Sequence, residues 1–475
     1  MAEKLERTLG LSSTISLVVG GIIGSAIFMK PALMASQLGS PILLLAVWVI
    51  AGGITFLGAL TNAEAAAMIP ETGGQYIFFQ KMFGDFIAFL YGWAAFAVFN
   101  TAGNASIAYV FSIYAEYFIH LPRLPRETEQ LFYLYVPGIG KIFPLENIGV
   151  KSMTIVLIWL LTLVNYRSTH SADRLQIFFS VLKVAAMLFL VIGIFLFGKG
   201  SASHFIHSSP HSGIVLVLAI VTATSGAFWG YEGWNNITFM AGEIKNPQKN
   251  IPLGSLLGLF IVIVLYCLLN LVYIYALPID VIATSSFVAS DAASSAFGFG
   301  AGALIALLVM ISTFGGTNGN VLATARVTFA MGQEKRFFSF AGKVHPKFKT
   351  PGNALLIHGV WTSLLVLSGS FDMLTDMLIF VSWFFYGLSA VGVMVLRKKM
   401  PNAPRPYRTW GYPLVPITFI LISTLFLIIT LYNDITNYLN GTSPLINSLF
   451  GLVLTALGIP LYFYFKKKYK VEAND

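Results

Sequence analysis

Two ionisable residues stand in stretches that otherwise hold almost no charge. Lys183 sits in the apolar run Ile177–Phe197, and Glu232 in a glycine- and aromatic-rich segment, Gly226–Asn235. An ammonium in apolar surroundings needs acceptor oxygens, and backbone carbonyls released from a helix are one source; the alternative for Lys183 is a long stem that reaches out to the nearest polar boundary. A carboxylate placed as Glu232 is suits proton carriage, contact with the surroundings of a ligand, or the capping of unwound backbone amides. Asn235, three residues on, is polar but neutral. His204, His207 and His211 lie close together without an acidic or cysteine partner, which fits a solvated loop better than a metal site. Gly298-Phe299-Gly300-Ala301-Gly302 has the glycines of a dinucleotide loop but no preceding strand, so neither a nucleotide nor any other cofactor is expected.

The elements that must position these groups follow from composition. Of 475 residues 56% are hydrophobic and 10% charged, with 40 Phe and 43 Gly. An average soluble domain is about 25% charged. A soluble enzyme, a disordered chain and a disulfide-rich module are therefore excluded, and the single cysteine, Cys267, has no partner within the chain. A bilayer core needs roughly 20 apolar residues per helix. Runs of that length fall at 10–36, 41–68, 83–118, 150–167, 174–198, 213–242, 252–277, 297–330, 354–370, 373–396, 412–432 and 444–465. In hydrocarbon each must be a helix that satisfies its own backbone, so the expected fold class is an all-α integral membrane protein with 12 transmembrane helices.

An even number of spans puts both ends on one side. Most of the 29 lysines and arginines fall to the side of the termini; only Lys30, Arg123, Arg126, Lys141, Lys151 and Lys199 are assigned to the other. The positive-inside rule then makes both termini cytoplasmic. The net charge of +9 is thus a topology signal, and no nucleic-acid partner is expected. The first residues lack a small-residue cleavage site after a short apolar core, so a retained tail that includes Lys4 and Arg7 is expected to enter the first span. The segment from His120 to Lys151 reads as an outer surface loop with short helical pieces.

Two spans look interrupted: the first at Gly20-Gly21-Ile22-Ile23-Gly24-Ser25-Ala26, the sixth at Gly226–Asn235. They open two blocks of five spans. Glycine in a membrane helix can simply permit close packing. Clusters at matching positions of two halves, one of them with an acid and two tryptophans, point instead to a binding site at an inverted-repeat interface. Unwound backbone offers N–H groups to a carboxylate and C=O groups to an ammonium, and a zwitterionic amino acid carries both.

With these residues the chain resembles the amino acid–polyamine–organocation transporters, most of all their L-amino acid transporter branch, which includes bacterial serine/threonine-type exchangers. The resemblance covers almost the whole chain. Its markers are Gly20–Phe28, Pro70-Glu71-Thr72-Gly73-Gly74-Gln75-Tyr76, Tyr231–Asn235 with Glu243-Ile244-Lys245-Asn246-Pro247, and Phe314-Gly315-Gly316-Thr317-Asn318-Gly319, in the family's order. It implies a LeuT-type 5+5 inverted repeat with discontinuous helices 1 and 6 and two added helices. It implies a substrate carboxylate on the amides of Gly24, Ser25 and Ala26, and a substrate ammonium on carbonyls near Ile22 and Trp229. Trp229 would gate the site and Asn235 form a polar wall. Lys183 would stand where sodium sits in related symporters, bridging backbone near Gly20 to Ser312, which implies sodium-independent transport. Arginine antiporters of the superfamily have a glutamate at the place of Asn235, so its neutrality argues for neutral substrates. The family usually has Gly-Ser-Gly where this chain has Gly24-Ser25-Ala26. Alanine keeps its N–H but resists positive φ. Either the turn there is not left-handed or the pocket is tighter.

The domain organisation expected is a tail 1–9, repeats 10–198 and 199–397, helices 11–12 over 398–466, and a tail 467–475. The function expected is sodium-independent exchange of small neutral L-amino acids by alternating access in the cell membrane. Proton-coupled uptake, motivated by Glu232, is the alternative; an intramembrane enzyme or channel is a remoter one, since convergent acids, histidines or pore rings are not seen. Aromatic residues Trp383, Phe384, Phe385 and Tyr386 line the outer side of the pocket or are bulk packing. Animal members of the family bond a partner through an outer-loop cysteine; Cys267 falls within a span, so no disulfide-linked subunit is expected.

Overall fold

The computed structural model describes residues 7, 9–71, 73–167, 172–198 and 200–471, with backbone alone over 172–182 and 469–471. Lys4, Thr72, Lys199, the rest of the N-terminal tail other than Arg7 and Leu9, and residues 472–475 lie outside the described residues. The spans follow the apolar runs: α1 Leu11–Ile22, α2 Ala26–Leu38, α3 Pro41–Met68, α4 Asp85–Ala115, α5 Ile148–Arg167, α6 Ala172–Phe197, α7 Gly213–Tyr231 and α8 Pro247–Ala276. Then come α9 Phe299–Gln333, α10 Gly352–Ser368, α11 Phe371–Lys399, α12 Leu414–Leu439, α13 Asn447–Ala456 and α14 Gly458–Val471. Among the described residues nine helices are long and apolar enough to cross a bilayer, ten when α1 and α2, bent by 45° to one another, count as one span. Lys183–Phe197 and Gly352–Ser368 are shorter apolar helices. The chain is a multi-pass membrane protein.

Two features depart from the sequence expectation. The segment after α4 holds the helix Arg126–Leu131 and also a two-stranded hairpin, Leu134–Val136 with Gly140–Ile142. The hairpin forms because its second strand finds further partners just before α13: Lys141 N–H donates to the Pro444 carbonyl at 2.8 Å and Ile446 N–H to that of Ile139 at 3.0 Å. Lys30 and Lys151, counted with the outer set although both fall within apolar runs, are buried in α2 and α5, each 1% exposed. Lys151 is accommodated there because its ammonium donates to the Phe143 carbonyl at 2.8 Å.

The chain forms two compact units, each built from separate stretches. One comprises Met1–Met82, Ile177–Ser312 and Tyr386–Ile429; the other Phe83–Gln176, Thr313–Phe385 and Thr430–Asp475. In the first unit α8 lies along α1 and α3, and α7 packs on α2 and α3. Small residues allow the close approach. A Cβ at Gly258 would stand 2.7 Å from Val18, and one at Gly230 2.5 Å from the Trp48 ring. Trp48, Tyr231 and Tyr266 meet in a buried aromatic cluster with centroids 5.4–5.8 Å apart. In the second unit α10 packs on α4 and α5. There α4 contains one π-helical turn, Ala95–Phe99, and the Thr101 hydroxyl donates to the Phe96 carbonyl at 2.7 Å.

A buried ion cluster closes one end of the first unit. Glu64, 1% exposed near the end of α3, accepts from Arg397 Nε at 2.8 Å and Nη2 at 2.6 Å. It also accepts the Thr409 backbone N–H at 2.8 Å, and Arg405 Nε stands 3.4 Å away. The Arg397 guanidinium lies 3.5 Å from the Tyr412 ring centroid. The geometry is bidentate and every oxygen is satisfied, the condition under which a buried pair holds structure together. Removing Glu64 strands the Arg397 guanidinium, while that of Arg405 keeps the Pro401, Ala403 and Met400 carbonyls. Glu64→Ala is expected to destabilise the protein by about 3–5 kcal/mol, and Glu64→Ala with Arg397→Ala by less than the sum of the two single changes, read as unfolding midpoints in detergent.

Candidate functional site

The first interruption begins where Gly20, Gly21 and Gly24 weaken the helix on both sides of Ile23. Ile23 takes an extended ψ of 98°, and Ser25 sits at φ −79°, ψ −20° before α2 starts. No residue from Ile23 to Ala26 has positive φ. The turn is not left-handed, which is why alanine is accepted at position 26; Ala26 opens α2 and is 3% exposed. The N-terminal amides of α2, positive end of a helix dipole, thus start at Gly24-Ser25-Ala26. Ser25 provides no side-chain cap, and its hydroxyl is buried without a partner.

The carbonyl side of the gap is met by neighbouring helices. Tyr266 of α8 donates its hydroxyl to the Ile22 carbonyl at 3.2 Å, and Lys183 of α6, 5% exposed, donates its ammonium to the Ile23 carbonyl at 3.1 Å. Lys183 therefore turns inward, and its acceptor is Ile23 where sequence pointed to Gly20. Gly20 lies within α1; Ile23 is the first residue past its end, where the carbonyl is free of the ladder. Ser312 of α9 shares a cleft with Lys183, Phe28 and Met187, but its buried hydroxyl makes no hydrogen bond among the described residues, so it is a neighbour of the ammonium and not its acceptor.

The sixth span loses its α-helical ladder after Tyr231, whose hydroxyl donates to the Trp48 carbonyl at 2.9 Å. Glu232 is extended at ψ 145°, Gly233 has φ 99°, and a 3-10 helix resumes over Asn236–Glu243. A Cβ on Gly233 would lie 2.8 Å from the Gly21 carbonyl oxygen, so the two interruptions come into contact at this glycine. Their far ends are also joined: Leu9 N–H donates to the Glu243 carbonyl at 3.0 Å and Lys245 N–H to that of Leu9 at 2.8 Å.

Trp229 is 7% exposed, with its indole N–H buried and without a partner among the described residues; its carbonyl accepts the Glu232 N–H at 3.2 Å. The Ile22 and Trp229 carbonyls each keep one lone pair for a further donor. Glu232 Oε1 accepts the Tyr386 hydroxyl at 2.5 Å, and the Trp234 ring lies 5.1 Å from that of Tyr386. The side-chain oxygen of Asn235 accepts from the amide of Asn62 on α3. Of the aromatic run in α11, Tyr386 reaches the interruption, Phe384 is 45% exposed, and Phe385 packs on Tyr91 with centroids 5.4 Å apart. Tyr266 and Asn62 went unnoticed in the sequence because each lies far along the chain from the residue it serves; a polar Asn62 inside an apolar run was the one available signal. His204 Nδ1 lies 3.1 Å from the Tyr275 carbonyl oxygen.

Polar groups of both signs lie buried at contacting gaps in two spans of a multi-pass membrane protein, an arrangement suited to holding a small polar ligand. The amino acid permease family model matches residues 9–457, and the chain belongs to that family, within the amino acid–polyamine–organocation superfamily and its L-amino acid transporter branch. The family is one of transporters, not enzymes. The serine/threonine exchanger SteT of Bacillus subtilis (strain 168) is 30% identical over 469 residues, 98% of each chain. The mouse large neutral amino acids transporter small subunit 2 is 30% identical over 466 residues, 97% of this chain and 81% of its own length. The human b(0,+)-type amino acid transporter 1 is 28% identical over 466 residues, 97% of this chain and 88% of its own.

Gly233 is needed twice, for its φ and for the space beside Gly21. Gly233→Ala is expected to cost about 1–3 kcal/mol and to weaken amino acid binding, seen as loss of ligand-induced thermal stabilisation in purified protein, whereas Gly53→Ala, where a Cβ meets open space, leaves both unchanged.

Proposed function

We propose that the protein is a sodium-independent exchanger of small neutral L-amino acids, working by alternating access in the cell membrane with both termini cytoplasmic. The single observation that supports this most is the Lys183 ammonium bound to the Ile23 carbonyl in the gap of the first span. A fixed protein cation there does for the released backbone what a bound sodium ion would otherwise have to do. Without a coupled sodium ion, the gradient of a second amino acid moved in the opposite direction is the driving force that fits an exchanger. Relatives named as a serine/threonine exchanger and as amino acid transporters support the same reading.

The substrate carboxylate is assigned to the amides of Gly24, Ser25 and Ala26 at the start of α2, and the ammonium to the Ile22 and Trp229 carbonyls. Trp229 closes over the substrate, Asn235 forms a neutral polar wall, and Ser312 adjoins Lys183. Glu232 holds the second gap through Tyr386. The twelve apolar runs are read as a LeuT-type arrangement of two five-span repeats, 10–198 and 199–397, with two further helices; the short apolar helices Lys183–Phe197 and Gly352–Ser368 complete the count. Cys267, within α8, leaves no outer-loop thiol for a disulfide-linked subunit. Substrate shifts the balance of inward- and outward-facing states only as far as it binds them differently.

A buried carboxylate in the second gap favours proton-coupled uptake as the competing reading. Counterflow in proteoliposomes separates the two. Exchange of labelled serine, alanine or leucine is expected to proceed without sodium and without a pH gradient; uptake that follows an imposed pH gradient with no internal amino acid would overturn exchange. Lys183→Ala is expected to lower exchange about tenfold or more, the value of one hydrogen bond to a charged group, at unchanged membrane insertion.

A further inference from the structure

Asn235 does not stand alone. Asn62 of α3 donates its amide nitrogen to the Asn235 side-chain oxygen, and Ser389 of α11 donates its hydroxyl to the Asn62 oxygen at 3.0 Å. All three are buried, at 4% exposure or less. Ser389 lies one turn beyond Tyr386, whose hydroxyl reaches Glu232, so one face of α11 touches the second gap by two routes.

This chain of hydrogen bonds has a direction. A proton from Ser389 fills the acceptor of Asn62 and leaves Asn62 its NH2 to give. That group fills the acceptor of Asn235 and leaves Asn235 its own NH2. Among the described residues this nitrogen makes no hydrogen bond. With both amides turned over, Ser389 would accept and Asn235 would show an oxygen instead. In the arrangement present Ser389 donates, and the free half of the Asn235 amide is its nitrogen.

We propose that Ser389 and Asn62 are positioning residues for substrate selection: by fixing the Asn235 amide with its donor free, they favour neutral amino acids whose side chain carries an acceptor oxygen over aliphatic ones of the same shape. The proposal rests on the transporter reading above. Neither residue touches substrate; each acts through Asn235.

O-methyl-L-serine and L-norvaline are the probes, since they differ by one ether oxygen in place of a methylene and the ether accepts but cannot donate. Each is measured as a competitor of exchange by reconstituted wild type, Ser389→Ala, Ser389→Thr and Asn62→Ala. Wild type is expected to prefer the ether by about two- to tenfold in KM, the range of a single hydrogen bond. In Ser389→Ala the ratio falls toward one, and Ser389→Thr, which keeps the hydroxyl, restores it. Asn62→Ala abolishes the preference independently, should Ser389→Ala fail to fold. Loss of stability alone lowers the rate for both probes together and leaves the ratio untouched. A wild-type ratio of one, or a ratio unchanged in both Ser389→Ala and Asn62→Ala, overturns the proposal. Absence of any neutral amino acid transport by wild type is a different result: it overturns the exchanger reading, and this one with it.

Discussion

In hydrocarbon an unpaired backbone N–H or C=O costs several kcal/mol, so a membrane helix can open at mid-span only where something else takes the place of its missing hydrogen bonds. The rest of the first unit answers to that constraint. At the end of α1, the carbonyls of Ile22 and Ile23 are taken by Tyr266 from α8 and Lys183 from α6. On the amide side, α2 begins without a side-chain cap, and the Ser25 hydroxyl beside it is buried and unpartnered. The gap is thus asymmetric, with acceptors served by the protein and a donor-rich helix start beside them. Such an end favours an anion, and the nearby ammonium of Lys183 adds to the same preference.

The second gap is organised differently. Among the described residues no lysine enters it; the groups that reach it are a phenol and a carboxamide, from Tyr386 and Asn62. Contact between the gaps depends on one missing side chain, at Gly233 against the Gly21 carbonyl. The position is also one of positive φ. Packing and backbone conformation therefore demand glycine for separate reasons, and the sequence reads glycine there between the bulky aromatics Tyr231 and Trp234.

Much of this was legible in advance, and the parts that were not share a cause. Spans are written in composition, because lipid tolerates little charge over 20 residues or so. The gaps are written in glycine, which both weakens a helix and permits close approach. What sequence could not supply was the pairing of atoms distant along the chain. Lys183 stands out by its charge in an apolar run, yet its acceptor depends on where α1 ends to the residue, and helix ends are uncertain at that scale. Charge counting assigns Lys30 and Lys151 a side but says nothing of their burial in α2 and α5, or of the Phe143 carbonyl that takes the Lys151 ammonium. The hairpin over Leu134–Ile142 depends on a strand partner some three hundred residues on, and the π-helical turn at Ala95–Phe99 leaves no mark in hydrophobic pattern.

Glu232 shows how such a fold separates structure from coupling. A carboxylate in a gap invites a proton-carrier role, but this one already accepts a hydrogen bond from Tyr386 and sits at the turn where α7 ends. An acceptor oxygen is all that Tyr386 requires, and a neutral amide can provide it. An ionisable group would be demanded only if the side chain also bound and released a proton during transport. Asn62 and Asn235 make the contrast clear, since there the neutral amide is the chosen group and its two unlike ends allow a hydrogen-bond direction to be passed along. A carboxylate, with two like oxygens, can end such a chain but not relay it. Where the protein needs an endpoint it uses Glu232; where direction must be transmitted through the core it uses asparagine.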